Sequence, residues 1–153
     1  MIYLLLAAAI FAVDFYTKTK IEITPQKDFP RQLAGGHVEL QPLHNKGLAG
    51  GKLKNKPWAA TLISGIAFVC CALYALTRFF RKGDMLEKTA LAMICGGAAG
   101  NFFDRLGRGY VVDFISFPSA KLKQIKKYVY NLADLFIFLG GALLLIRELF
   151  RKD

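Results

Sequence analysis

Residues Tyr128–Ile146 read YVYNLADLFIFLGGALLLI, nineteen residues with a single charge, Asp134. Twelve uncharged residues separate that carboxylate from Arg147. Hydrocarbon is a costly place for a carboxylate, so one at this depth marks a functional or paired site. The polar residue within reach along the same stretch is Asn131, three positions earlier and on the same helical face. A second aspartate, Asp113, lies in the short apolar run Tyr110–Ile115, YVVDFI, which has the length to fold back towards the same depth. Two carboxylates meeting near a membrane surface are a candidate for aspartyl acid–base chemistry.

Working outward, three further apolar segments precede this one, and the expected helices cover about 1–19, 57–78, 88–104 and 128–148. The second meets the ~20-residue requirement for a span outright, and the others meet it once polar residues at one end are included. The expectation is an all-α membrane protein, a four-transmembrane-helix bundle forming a single domain over 1–153. Lys20–Pro57 is too polar to span, and the alternation in Gly35–Gln41 predicts a small β element at the membrane surface between helices 1 and 2. The segment Lys121–Lys127 reads as a basic surface stretch. The N-terminus lacks the basic n-region of a cleavable signal peptide and leads into Asp14, so it reads as a retained first helix.

Composition agrees with the membrane class. Hydrophobic residues make up 54% of the chain, and they fall in blocks. The net charge of +10 raises nucleic acid as a partner, but no aromatic-interleaved basic patch or nucleic-acid motif is present. The lysines cluster beside apolar segments, which makes anionic lipid headgroups the expected partner instead. Cys70, Cys71 and Cys95 lack metal-ligand spacing and read as free, buried structural thiols.

The helices also share a depth. Asp14 lies thirteen residues from Met1, Asn101 thirteen from Lys88, and Asp134 thirteen from Arg147. At ~1.5 Å per residue all three fall roughly 20 Å from the side bearing the termini, in one polar layer. Four local patterns surround that layer. Asp14 and Lys18 share a helix face and can pair, either inside the protein or as an interfacial bridge with a snorkelling lysine. Asn45-Lys46-Gly47, with Gly50 and Gly51, forms a glycine-rich loop able to approach a ligand or simply to turn the chain; His44 beside it reads as a surface or hydrogen-bonded histidine. Gly96, Gly97 and Gly100 suit close helix packing, and Asp104 beside Arg105 and Arg108 predicts a charge network bracing the turn. Asn131 and Asp134 share one face.

Taken together and in order, Asp14-x-x-Thr17-Lys18, Asn45-x-Gly47, Gly100-Asn101-x-x-Asp104-Arg105-x-x-x-Gly109-x-Val111-Val112-Asp113-Phe114 and Asn131-x-Ala133-Asp134 resemble the lipoprotein signal peptidases (signal peptidase II), bacterial membrane aspartyl proteases. The resemblance implies that Asp113 and Asp134 are the catalytic pair. It further implies that Asn45, Asn101, Arg105 and Asn131 position substrate, that Asp14 and Lys18 support the site, and that Asp104 is structural. No metal or other cofactor is implied. The implied substrate is a diacylglyceryl-modified prolipoprotein, cut before its lipidated cysteine; the implied partners are that substrate and membrane lipids, with the enzyme a monomer. The implied location is the bacterial cytoplasmic membrane, multi-pass, with both termini cytoplasmic, the β element extracytoplasmic and the active site near the outer leaflet. Counting Lys and Arg places seven on the side of the termini and fourteen on the other, which by itself favours the opposite orientation. Two positions depart from the family pattern: Phe15 stands where glutamine is usual, and Gly50-Gly51 where a phenylalanine is usual. The competing readings are a catalytically weakened lipoprotein-binding paralogue and a small ion-coupled transporter; the latter predicts internal repeat symmetry, which the chain lacks.

Overall fold

The computed structural model describes residues 1–150. Its elements run α1 (Ile2–Ile23), β1 (Arg31–Leu33), β2 (Val38–Asn45), α2 (Pro57–Phe79), α3 (Met85–Arg108), β3 (Val111–Ser116), α4 (Lys123–Lys127) and α5 (Leu132–Leu149), with short 3-10 turns between them. Local chemistry sets the helix ends. Pro57 occupies the first turn of α2, where its missing N–H is not needed. Asp84 caps α3 by accepting from the Glu87 amide at 2.9 Å, which starts the helix earlier than the apolar pattern indicates. Gly109 ends α3 at φ 78° while its N–H donates to the Arg105 carbonyl.

The fourth apolar segment differs from expectation. It is not helical from residue 128: α5 starts at Leu132, because Asn131 and Asp134 form a capping box. Tyr128–Tyr130 are extended instead, and Tyr130 exchanges backbone hydrogen bonds with Ile115, both at 2.7 Å. Asp134 therefore sits in the first turn of its helix rather than in the middle of a span, where the N-terminal dipole favours a carboxylate.

Helix α3 is the hub, packing against α1, α2 and α5. Small residues permit this. A Cβ added at Gly96 would lie 2.6 Å from the Ala7 carbonyl of α1, and one at Gly97 would lie 2.5 Å from the Ala133 carbonyl of α5. Two helices, α1 and α2, are long and apolar enough to cross a membrane by length and composition. Outward-facing Leu62, Ile66 and Leu73 of α2 are each more than half exposed, a surface that suits hydrocarbon and not water.

The fold is mostly helical but not all-α. A three-stranded antiparallel sheet, order β1-β2-β3, sits beside the bundle. The expected β element lay between helices 1 and 2 alone, whereas the third strand comes from Val111–Ser116, beyond α3. The strand signal there is a continuous apolar run, the mark of a strand covered on both faces. β3 is buried from Val111 to Ile115, and its free edge is closed by Tyr130. The β2–β3 register slips between Leu40 and Leu43, where Pro42 can donate no ladder hydrogen bond. Beyond that slip Leu43 faces Asp113 and Asn45 faces Val111, which brings the Asn45 side chain beside the aspartate.

Candidate active site

A chain of side chains crosses the layer where α1, α3, β3 and α5 meet. Lys18, fully buried, pairs with Asp14 at 2.7 Å, lies 3.4 Å from Asp104, and donates to Asn101 Oδ1 at 2.9 Å. The alternative of a snorkelling lysine is thereby overturned: Lys18 and Asp14 are both 0% exposed, so the pair braces the interior. Asp14 spends its other oxygen on the Ala133 amide, 2.8 Å away, fixing α1 to the start of α5. Asp104 accepts from the Val112 amide at 3.1 Å and so anchors β3 to α3.

Amide side chains connect this brace to the two aspartates. Asn101 Nδ2 donates to Asp134 Oδ1 at 2.8 Å. Asn131 Nδ2 donates to Asp113 Oδ1 at 2.7 Å and to Asn101 Oδ1 at 3.1 Å, while Asn45 Nδ2 donates to Asp113 Oδ2 at 3.0 Å. Asn45 is itself oriented by accepting from the Gly47 amide at 3.0 Å. Asp113 and Asp134 line one cavity of about 1100 Å³, together with Asn45, Asn101 and Arg105. Burial, and then the charge of Asp134, push the Asp113 carboxyl up to about 7.

Arg105 takes a role that its sequence neighbours conceal. It does not join the expected network with Asp104; that ion pair is made by Arg108, at 3.4 Å. Instead the Arg105 guanidinium reaches across to the Gly47 carbonyl, 2.6 Å, and to the Asn101 carbonyl, 3.1 Å, tying the glycine loop to α3. Its Nε has no hydrogen-bond partner among the described residues although the side chain is buried. His44 is partnered, as a surface histidine is expected to be: its Nε2 lies 2.9 Å from Glu22 and its ring stacks on Tyr110 at 4.2 Å.

All six of Asp113, Asp134, Asn45, Asn101, Arg105 and Asn131 fall in one connected site, with Asp14 and Lys18 behind it. Sequence reasoning missed Tyr128 and Tyr130, which line the same cavity. Gly50, at φ +74°, lies against the Tyr128 ring, so an aromatic from another segment fills space beside the altered glycine pair. The stretch YVY continues the hydrophobic run of the expected helix, but its β-branched and aromatic character is the signal of an extended segment. The thiols divide: Cys95 is buried and Cys71 partly so, 3.2 Å apart between α2 and α3, whereas Cys70 is exposed on the outward face of α2, contrary to expectation. Neighbours in a helix point about 100° apart, and on α2 that turn carries Cys71 towards α3 and Cys70 outward. Among the described residues no group of three His, Cys, Asp or Glu is placed to hold a metal ion.

Apolar helices of spanning length, a surface sheet and a cavity holding two aspartates define a helical membrane protein with an acidic site. Comparison narrows the class. The family model described as Signal peptidase (SPase) II matches residues 6–150, and the chain belongs to that family, which makes it a protease of bacterial membranes. The lipoprotein signal peptidase of Caldicellulosiruptor bescii is 37% identical over 145 residues, covering 95% of this chain and 88% of that protein. That of Fusobacterium nucleatum is 31% identical over 150 residues, covering 98% and 87%. Two solved bacterial membrane enzyme structures share the fold with TM-scores of 0.81 and 0.80, each at 24% identity. They cover 96% and 98% of this chain, and 87% and 94% of their own.

Proposed function

We propose that this protein is an aspartyl endopeptidase that removes the signal peptide from diacylglyceryl-modified prolipoproteins, cutting just before the lipidated cysteine. The observation that carries the reading is the convergence of Asp113 and Asp134 on one cavity, each held by amide donors that leave a face open to it. Two close carboxylates in a site of low polarity do not both ionise cheaply, so the pair shares one proton. The apparent pKa values belong to the pair.

In the reaction the ionised carboxylate takes a proton from water as the water oxygen bonds to the scissile carbonyl carbon. The protonated carboxyl donates to the carbonyl oxygen as negative charge develops there. Collapse of the tetrahedral intermediate breaks the C–N bond, and the departing amine takes a proton from the pair. Asn45 and Asn131 hold Asp113, and Asn101 holds Asp134, so neither carboxylate rotates away between steps. Arg105, which lines the cavity, is the cationic group that positions the bound peptide.

The bundle also supplies a place for the apolar part of the substrate. The cavity is lined by Ser64 and Ala67 of α2, Ala98 of α3 and Ile137 of α5, small or apolar groups that suit a signal-peptide helix lying over α3. Four spans, α1, α2, α3 and α5, with both termini cytoplasmic, put the sheet and the aspartates at the outer leaflet. There the acyl chains stay in hydrocarbon while the peptide bond meets water. Incubation of the purified enzyme with a diacylglyceryl prolipopeptide, followed by mass analysis of both products, tests this. The expected product begins at the lipidated cysteine; cleavage elsewhere, or binding without cleavage, overturns it.

A further inference from the structure

Two segments border the mouth of the cavity, the loop from Lys46 to Lys56 and the stretch Lys121–Lys127. Lys46, Lys52 and Lys54 from the first and Lys127 from the second line the cavity itself. Lys56, Lys121, Lys123 and Lys126 are exposed in the same two segments. Among the described residues none of these eight is in an ion pair. Their one aromatic contact among the described residues is Lys127 over the Tyr128 ring at 5.6 Å. A plain solvated face explains unpaired lysines, but it does not explain their neighbours. Trp58 is 69% exposed two residues after Lys56, and Leu122 is 66% exposed between Lys121 and Lys123. Leu53 and Ile125 are also exposed in the same two segments. Cations alternating with bare apolar side chains form the pattern that enters a headgroup layer, apolar groups dipping and ammonium groups staying at phosphate level.

The charge count points the same way. The cavity side of the protein carries fourteen of the 21 Lys and Arg against seven of the 11 Asp and Glu. With both termini cytoplasmic, this excess lies on the side that membrane insertion ordinarily keeps poor in lysine and arginine.

We propose that the lysine rim is a docking surface for anionic phospholipid headgroups, which it gathers around the entrance to the cavity. The rim rests on the four-span reading for its position at the bilayer surface. Its test does not require cleavage, so the two stand or fall separately. An acidic peptide is the competing occupant; the interleaved Trp58, Leu122 and Ile125 favour lipid, since a peptide-binding rim has no need of apolar groups bare to its surroundings.

Trp58 is the single tryptophan of the chain and lies two residues beyond Lys56 in the first turn of α2, so it reports on the lipid beside that segment. The full-length protein is reconstituted in phosphatidylcholine vesicles in which either phosphatidylcholine or phosphatidylglycerol carries brominated acyl chains, and quenching of Trp58 is measured. Preferential quenching by the anionic lipid is expected, roughly five-fold for each lysine that reaches a headgroup. It falls towards no preference near 1 M salt, where screening shortens to about 3 Å. The preference falls sharply in the variant K52Q/K54Q/K56Q/K127Q and persists in the matching Lys→Arg variant, which shows that lost preference reflects charge and not misfolding. Equal quenching by both lipids in the wild type overturns the proposal, as does a preference unchanged by the glutamines. Salt-sensitive, lysine-dependent capture of an acidic peptide in vesicles that show no lipid preference also overturns it, by assigning the rim to peptide.

Discussion

Replacing Asp113 by Asn removes the titrating group while keeping its shape, and the structure sets both the sign and the size of the effect. In the folded protein the Asp113 carboxyl is raised from 3.8 to about 7, first by burial and then by the charge of Asp134. Between those values the folded state binds a proton that the unfolded chain has released, so stability falls as pH rises through the window from about 4 to about 7. At about 1.36 kcal/mol per pKa unit, the full shift corresponds to an upper figure of about 4 kcal/mol above the window. Asparagine escapes that penalty at a cost of its own. Its amide turns a donor towards Asn45 Nδ2, and Asn45 is prevented from flipping because its oxygen already accepts from the Gly47 amide. That mismatch costs about 1–2 kcal/mol at every pH. The expected result is a crossover. Asp113→Asn is more stable than wild type by about 2 kcal/mol near pH 8, on the order of 4–8 °C in Tm, and less stable near pH 4. Thermal unfolding in a mild detergent, followed by intrinsic fluorescence at several pH values, measures it. A difference that does not change with pH, or a mutant less stable at pH 8 than at pH 4 relative to wild type, refutes the account of Asp113 as a carboxyl strained by burial and a like charge.

Three other expectations use different parts of the molecule. The peptidase rate depends on a pair holding one proton, so kcat/KM declines as pH rises through about 7, the value of Asp113; a rate still climbing near pH 9 contradicts the shared proton. Lys18→Met leaves the buried Asp14 carboxylate without its cation, and Asp104 with Arg108 alone, and is expected to cost about 3–5 kcal/mol, seen as loss of folded protein in membranes; near-normal yield and Tm contradict the interior brace. Gly97→Ala places a methyl group 2.5 Å from the Ala133 carbonyl, pushes α5 off α3 and costs about 1–3 kcal/mol. Gly107→Ala, which meets nothing within 4 Å in the same helix, is neutral or stabilising by about 0.5–1 kcal/mol, and the contrast is read as a Tm difference.

Much of this arrangement is legible in the order of residues, and the reasons differ by element. The α2 span is written in plain hydropathy, and the polar layer of Asp14, Asn101 and Asp134 follows from rise per residue; Lys18 and Asn101 link its members through hydrogen bonds and an ion pair. The start of α5 is less legible, since apolar Tyr128–Tyr130 continue the hydrophobic run while the capping box of Asn131 and Asp134 terminates the helix behind them. Capping chemistry outweighs periodicity there. The third strand is hidden for a related reason: VVDFI alternates with nothing, because both of its faces are buried. Partner choice is the part least visible. Arg105 and Arg108 both follow Asp104 on α3, yet the first reaches the Gly47 carbonyl and the second pairs with Asp104, a division decided by the position of the β2 loop and not by spacing along the helix.

The most direct measurement is the single-turnover cleavage rate of a diacylglyceryl-modified prolipoprotein by wild type, Asp113→Asn and Asp134→Asn. All three are to be first shown folded by their thermal transitions. Cleavage by the wild type and loss of activity by several orders of magnitude in each mutant are the results predicted for a shared-proton pair. Cleavage at an appreciable fraction of the wild-type rate by either folded mutant contradicts the assignment of Asp113 and Asp134 as the catalytic residues.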